Sequence, residues 1–405
     1  MSDLHVLMLS WEFPPRVIGG LAAHVYDLSR ALVRRGLSVD VVTCDFPGAL
    51  KYEEIEGVHV YRTDAYTVPS PDFASWALLM NLSLQKQAIE TMKKEENEVD
   101  LIHAHDWLSA PAGIAIKHIT RKPLVATIHS TESGRRNGLH NDYQRMIHEI
   151  EWWLTFEAWR IICCSYFMRN QVHNLFGTPV GKIDVIPNGV DGQKLALSFN
   201  REEIRSRFAA PWEKIVLFVG RLVPEKGVNI LVGAVPKVLK AYPNVKFVIV
   251  GDGYMRKALM DDAHMLGVYH KIYFTGFLDD QLLRMLYRSA DLGVFPSLYE
   301  PFGIVALEAM AAGLPVIVSD TGGFSEIVDH DVNGIKVPPN NSDALAWWII
   351  RVLSDPSYSD WLRHNALKKI SEVYDWDEIA RKTRLVYERV LREYEASTWK
   401  GFKSI

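Results

Sequence analysis

Two carboxylates, Glu300 and Glu308, close the ends of the segment Glu300-Pro301-Phe302-Gly303-Ile304-Val305-Ala306-Leu307-Glu308, and an apolar run stops just before it at Phe295. That order predicts a strand, a loop carrying Glu300, and a helix from about Gly303. Glu300 would then face a ligand, together with the loop amides that follow it. Glu308 falls among Ile304, Val305, Leu307, Ala309 and Met310, where a buried carboxylate is costly unless it is partnered. A pair of ribose hydroxyls would satisfy it; a structural glutamate held by backbone amides is the plainer alternative.

A second cluster, Gly220-Arg221-Leu222-Val223-Pro224-Glu225-Lys226-Gly227, follows the predicted strand Ile215–Val219. An Arg fork and a Lys point charge over a helix N-terminus suit a diphosphate, although a solvated basic loop would read the same way. The GxxxxGK[ST] phosphate loop is absent. Near the start, Ser10-Trp11-Glu12-Phe13-Pro14-Pro15 leads to Gly19-Gly20 and a predicted helix from about Leu21. Paired glycines at such a turn let amides approach an anion, and a tight turn alone would also explain them.

His103-Ala104-His105-Asp106-Trp107 and Thr127-Ile128-His129-Ser130 sit at the carboxyl ends of two adjacent predicted strands. His103, His105 and His129 could be zinc ligands or could hydrogen-bond locally. Strand alternation puts His103 and His105 on one face, and His105 and His129 are both placed to reach a bound sugar. Without a Cys or Glu at metal spacing, sugar contact ranks above zinc. The triplets Asp329-His330-Asp331 and Asp375-Trp376-Asp377 have the D-x-D form that binds Mg²⁺ or Mn²⁺ in metal-using sugar transferases, but their settings read as turn and cap chemistry. Trp152, Trp153, Phe156 and Trp159 are spaced as a buried helix face.

The elements that must position these residues alternate along the whole chain. Strands are predicted near Val6–Leu9, Val39–Thr43, Val58–Arg62, Leu101–Ala104, Leu124–Ile128, Ile161–Cys164 and Ile183–Ile186. Between them lie helical patterns such as Ala22–Arg35, Leu84–Glu95 and Tyr143–Arg160. The order restarts with Ile215–Val219, Val245–Val250, Ile272–Phe274, Leu292–Phe295, Val316–Ser319 and Ile335–Val337, with helices at Val228–Lys240, Tyr254–Leu266, Asp279–Arg288 and Gly303–Ala312. Val/Ile-rich strands alternating with helices argue for parallel sheets covered on both faces. The polar stretch from Asn188 to Pro211 suggests a hinge. The expected domains are therefore residues 1–190, residues 191–375, and a C-terminal helix within 376–405 that packs back on the first. Ligands of such sheets bind outside the carboxyl ends of the strands, which places the site in a cleft between two facing domains.

Composition limits the partners. The chain has 405 residues, 48% of them hydrophobic and 23% charged, with a net charge of −4. No basic run marks a nucleic-acid partner. Cys44, Cys163 and Cys164 form no disulfide framework, which fits a reducing compartment. The start at Met1-Ser2-Asp3 lacks the basic region of a signal peptide. No window reaches the roughly 18 uninterrupted apolar residues of a membrane span. A cytoplasmic location follows as the expectation.

Taken together, these motifs resemble the retaining GT-B glycosyltransferases, specifically glycosyltransferase family four, over nearly the whole chain. Glu300 to Glu308 looks like that family's E-x7-E element, and Gly220 to Gly227 like its pyrophosphate loop. Ile186 to Asp191, Gly251–Gly253 and Thr321–Val328 fit as well. The resemblance implies a GT-B architecture, two Rossmann-like parallel-sheet domains facing a central cleft. It implies that Glu300 and the backbone around Phe302, Gly303 and Ile304 hold the donor sugar, that Glu308 holds the ribose, and that Arg221 and Lys226 hold the diphosphate. Gly20 would contact the distal phosphate, and His129 would contact the transferred sugar, with Gly19, His105 and Asp106 beside them in the substrate site. No metal and no cofactor are implied; Arg221, Lys226 and helix dipoles would neutralise the leaving diphosphate.

Residues 10–32 and His103 to Trp107 resemble the glycogen (α-glucan) synthase branch. Bacterial starch-type synthases usually carry Lys-x-Gly-Gly-Leu where this chain has Arg16-Val17-Ile18-Gly19-Gly20-Leu21, which leaves the donor open between UDP- and ADP-glucose. The resulting expectation is a hexosyltransferase moving glucose from a nucleoside-diphosphate sugar to an oligo- or polysaccharide acceptor, with a homo-oligomer left open. A lipid or small-molecule acceptor is the alternative. It would ask for a basic amphipathic face, and residues 84–97 mix Lys86, Lys93 and Lys94 with Glu90, Glu95 and Glu96. A non-catalytic sugar-nucleotide sensor is a third reading, against which the joint presence of His129, Arg221, Lys226 and Glu300 speaks.

Overall fold

A computed structural model describes residues 4–64, 69–94, 98–195 and 197–401. Met1-Ser2-Asp3, and Glu95 to Asn97 at the end of the predicted helical and charged stretch, lie outside the described residues. The chain divides into two compact units: one takes residues up to Gly189 together with the chain from Trp376, and the other is Val190–Asp375.

The first unit is built on an eight-stranded sheet in the order β3-β4-β2-β1-β5-β6-β7-β8. Its strands are β1 (His5–Leu9), β2 (Ser38–Cys44), β3 (Tyr52–Ile55), β4 (Val58–Thr63), β5 (Leu101–His105), β6 (Leu124–Ile128), β7 (Arg160–Cys163) and β8 (Ile183–Val185). All pair in parallel except β3, which runs antiparallel to β4. The second unit carries β9 (Lys214–Val219), β10 (Val245–Val250), β11 (Ile272–Gly276), β12 (Leu292–Phe295), β13 (Val316–Ser319) and β14 (Ile335–Val337) in the order β11-β10-β9-β12-β13-β14, all parallel. The central strands are fully buried: every residue of β1, β5, β6, β12 and β13 is inaccessible or nearly so. Helices on both faces cause this, and they explain why these strands read as continuous apolar runs.

Each crossover helix presents one apolar face. Gly20–Arg34 buries Ala22, Val25, Leu28, Ala31 and Leu32 at helical spacing. The long helix Trp376–Glu395 buries Trp376, Ile379, Ala380, Val386, Tyr387 and Val390 in the same core as β1 and β2. It belongs to the first unit although it follows the second in sequence. Each Val, Leu and Ile among them contributes about 1.5–3 kcal/mol on full burial.

Four expectations differ from the structure. The helix sought over Leu84–Glu95 starts eleven residues earlier and spans Phe73–Lys94; its first turns lack the continuous apolar stripe that marks a helix in sequence. Tyr52–Ile55 forms β3, which hydropathy alone misses because it is a half-exposed Tyr-Glu-Glu-Ile edge. The helix sought over Tyr143–Arg160 spans Asp142–Glu157, since Ala158 turns extended and Arg160 opens β7. Trp152, Trp153 and Phe156 are not a buried face; they are 46%, 41% and 66% exposed. The core side of that helix carries Ile147, Glu151, Leu154 and Thr155 instead, and Trp152 and Phe156 stack on each other outside at 5.6 Å. No described helix is long and apolar enough to cross a membrane.

Candidate functional site

In the second unit the chain leaves β9 toward one edge and returns at β12 to build the other. The carboxyl ends of β9 and β12 therefore flank the crevice where such sheets take ligands. Three loops meet there, and their backbones touch. Glu225 O accepts hydrogen bonds from the amides of Leu298 (2.8 Å) and Tyr299 (3.2 Å), and Glu300 O accepts one from Gly323 (2.8 Å). Gly322 sits at φ +54, where a Cβ would lie 2.0 Å from Glu300 O; Gly303, at φ +111, would drive one to 2.3 Å from the Phe324 ring. Only glycine permits both the conformation and the approach.

This packing fixes Glu300, which is 6% exposed. Its Oε2 accepts from Lys226 Nζ at 2.7 Å and from Ser297 Oγ at 3.1 Å. Lys226 ends the short turn Pro224–Lys226, and Gly227 at φ +64 passes the chain into the helix Val228–Ala241. Arg221 stands half-exposed on the same loop with Glu225 Oε1 at 3.3 Å. Glu308 is partly buried on the helix Ile304–Ala311 and accepts from the Tyr287 hydroxyl at 3.1 Å. Burial and that carboxylate hold the Tyr287 phenol well above its ordinary range. Phe302 is 5% exposed and meets Tyr374 edge-on at 6.2 Å, so its side chain serves packing and only its backbone can face a ligand. Ile304, the first residue of the helix, is partly buried.

In the first unit the corresponding reversal lies between β1 and β5. Gly19 and Gly20 are exposed, and Gly20 opens the helix Gly20–Arg34. The amides of Ile18 (2.6 Å) and Gly19 (3.2 Å) donate to Glu12 Oε2. The anion on these amides is thus the chain's own buried carboxylate, whose pKa burial pushes up to about 7 against the pull of the two amides. Behind it, Arg16 stacks its guanidinium over Trp11 at 5.1 Å and Trp76 at 5.7 Å.

The strand-end histidines separate. His103 faces Tyr387 Oη (2.7 Å from Nδ1) and Thr127 Oγ1 (2.7 Å from Nε2), fully buried and satisfied. His105 Nδ1 lies 3.2 Å from His129 Nε2, and His24 from the glycine-led helix packs its ring 4.6 Å from that of His129. Asp106, at φ +58, accepts from the His129 amide through Oδ1 at 2.7 Å and so fixes the backbone of one histidine beside the other. Burial lifts Asp106 to about 6 and lowers His129 to about 3; it holds His24, His103 and His105 well below the usual histidine range. The imidazoles are neutral at pH 7, hydrogen-bonding groups rather than cations. Part of His129 stays open to solvent.

Of the residues singled out in the sequence, the structure brings Lys226 to Glu300, His105 to His129 and Asp106 to His129. Glu12, His24, Tyr287 and Ser297 were missed. Glu12 carried the signal used for Glu308, a lone acid between apolar neighbours at a strand end; His24 and Tyr287 sit in amphipathic helices and have no signal of their own. One carboxylate of each D-x-D triplet is engaged in an ion pair: Asp329 with Lys369 at 2.8 Å, and Asp377 in a first helical turn with Arg34 at 3.0 Å, while Trp376 between Asp375 and Asp377 packs its ring 5.7 Å from that of His24.

The two units match two family descriptions, Glycosyltransferase Family 4 over residues 18–194 and Glycosyl transferases group 1 over residues 200–369. An uncharacterized glycosyltransferase of Methanocaldococcus jannaschii is 44% identical over 392 residues, 95% of this chain and 98% of that one. A glycogen synthase of Mycobacterium tuberculosis is 35% identical over 398 residues, 95% of this chain and 94% of its own. Among solved structures, a sucrose-phosphate synthase of Thermosynechococcus elongatus superposes with a TM-score of 0.84 at 24% identity, covering 96% of this chain and all of that one. Two parallel α/β units of the GT-B type, each closing on its loops at the strand ends, and identity sustained through both of them make this chain a member of glycosyltransferase family four.

Proposed function

We propose that this glycosyltransferase moves a hexosyl group, glucose foremost, from a nucleoside-diphosphate sugar to an α-glucan, with retention at the anomeric carbon. The observation that carries the reading is the meeting of Lys226, on the loop that also carries Arg221, with Glu300 at 2.7 Å, at the strand-order reversal of the second unit. A cation pair suits the donor diphosphate and a buried carboxylate suits the hydroxyls of the sugar joined to it. As the bond from the anomeric carbon to phosphate oxygen breaks, charge grows on the diphosphate, and Lys226 and Arg221 are the groups to neutralise it. The acceptor hydroxyl forms the new bond and its proton leaves with the phosphate oxygen. Glu308, with Tyr287, takes the ribose. In the first unit, neutral His129 donates to the transferred sugar, Gly20 meets the distal phosphate, and His105 and Asp106 hold His129 in place. The likeness to a glycogen synthase over nearly the full length of both chains supports the α-glucan acceptor.

The test is a donor panel, UDP-glucose and ADP-glucose first, with nucleotide release measured with and without glycogen and the linkage read by NMR. Release that glycogen accelerates, with an α-linked product, is expected. Release indifferent to glycogen would overturn the acceptor, and a β-linked product would overturn retention.

A further inference from the structure

His24, His105 and His129 meet as a group in the first unit: one ligand nitrogen from each lies within 4.8 Å of the other two, the sole such group of histidines, cysteines and carboxylates among the described residues. His24 and His105 are 5% and 0% exposed. His105 Nδ1 and His129 Nε2 stand 3.2 Å apart, close to the roughly 3.3 Å that two nitrogens at about 2.0–2.1 Å from one tetrahedral ion would span. His24 has no hydrogen bond of good geometry at either ring nitrogen; the Asn188 side chain is a near polar neighbour. His105 Nε2 is also buried without a partner. Unpaired buried nitrogens are costly, and here three imidazoles from different elements converge with such atoms among them.

We infer that His24, His105 and His129 form a binding site for Zn²⁺, and that the ion inhibits transfer by occupying His129. This second clause rests on His129 being the sugar contact proposed above; the first does not. Zinc accepts three imidazoles and keeps a fourth position open, and the partly exposed His129 gives an approach. The proton now shared between His105 and His129 needs no exit to solvent: if His105 carries it on Nδ1, the unpartnered Nε2 can take it as the ring changes tautomer, freeing Nδ1 for the metal. His103 is excluded, because both its nitrogens are already engaged.

The experiment uses the full chain, stripped with chelator and titrated with Zn²⁺ by calorimetry and with Co²⁺ by visible absorption, beside a transfer assay. One equivalent of Zn²⁺, an intense tetrahedral Co²⁺ spectrum, and inhibition reversed by EDTA are expected. Outer partners of metal ligands are themselves worth about 10–100-fold in affinity, so His24→Phe should weaken binding by about 100-fold or more and make transfer correspondingly resistant to zinc. His24→Asn, with its melting curve, guards against a variant that fails to fold. Absence of stoichiometric binding, or binding unchanged in both folded variants, would overturn the site while leaving the transfer reading intact. Tight binding lost in the variants but without inhibition would confirm the site and overturn the role of His129 in transfer.

Discussion

Lys226 Nζ lies 2.7 Å from Glu300 Oε2, so the cation proposed for the diphosphate and the carboxylate proposed for the sugar neutralise each other before a donor arrives. The pair offsets the cost of burying Glu300 at 6% exposure: an unpaired carboxylate there would be strongly disfavoured. A donor that brings its own negative charge to Lys226 and its own hydroxyls to Glu300 replaces one set of partners with another. The site is preorganised by its two functional groups.

Lys226→Ala removes a charge-assisted contact worth about 1.5–3 kcal/mol and should slow transfer by about ten- to hundred-fold or more. Because the same substitution strands Glu300, adding Glu300→Gln should cost less than the product of the two single effects. Initial rates of the two single variants and the double variant check this. Strict multiplicativity would mean that the contact has no energetic weight.

Transfer should not need a divalent cation if, as proposed, Arg221 and Lys226 supply the positive charge. Saturating EDTA should leave the rate unchanged or raise it. A rate lost to EDTA and restored by Mg²⁺ or Mn²⁺ would revive a metal-dependent mechanism.

Glu12 gives a pH dependence of defined sign. Its carboxyl titrates near 4.5 when exposed and at about 7 in the fold, so the native state holds the proton more tightly. Its contribution to stability is full below pH 4.5 and lost as pH rises through 7, on the order of 3 kcal/mol in all. Glu12→Gln keeps an oxygen for the Ile18 and Gly19 amides without the charge. It should stabilise the first unit above pH 7 and flatten its unfolding midpoint against pH between 5 and 8. An unchanged slope would show that Glu12 is not the titrating group.

Gly303→Ala tests the loop that carries Glu300. A Cβ at φ +111, 2.3 Å from the Phe324 ring, combines backbone strain with overpacking, each about 1–3 kcal/mol. Urea unfolding should show the second unit destabilised by about 2 kcal/mol or more, with activity falling alongside. A variant of native stability would mean that the loop has room to shift.

Much of this was legible in the sequence, for identifiable reasons. Doubly covered parallel strands must be apolar throughout, so runs such as Val316–Ser319 announce themselves. Loops at their ends carry the charged groups, which is why Arg221, Lys226 and Glu300 stood out. What was illegible depended on which face of an element the rest of the fold covers. Trp152 and Phe156 have helical spacing but face outward, while Glu151 of the same helix is buried, its Oε1 accepting from the Glu132 amide at 2.8 Å. His103 and His105 share a strand face by alternation, yet the Tyr387 hydroxyl, arriving from a helix far along the chain, claims His103. His24 is one polar residue in an amphipathic helix, and nothing local says that it will meet two more histidines.

The division of labour between Glu300 and Glu308 is the central claim, and steady-state kinetics with donor varied at saturating acceptor tests it most directly. In the proposed reading Glu300 meets the sugar, where charge develops, and Glu308, bonded to Tyr287 at 3.1 Å, meets the ribose, whose surroundings change little in the reaction. Contacts that strengthen in the transition state raise turnover, whereas uniform ones only lower the Michaelis constant. Glu300→Gln should therefore mainly lower kcat, and Glu308→Gln should mainly raise the donor KM. Equal losses of kcat in both variants with donor affinity unchanged would contradict the division, and two variants as active as the wild type would remove this crevice from the reaction.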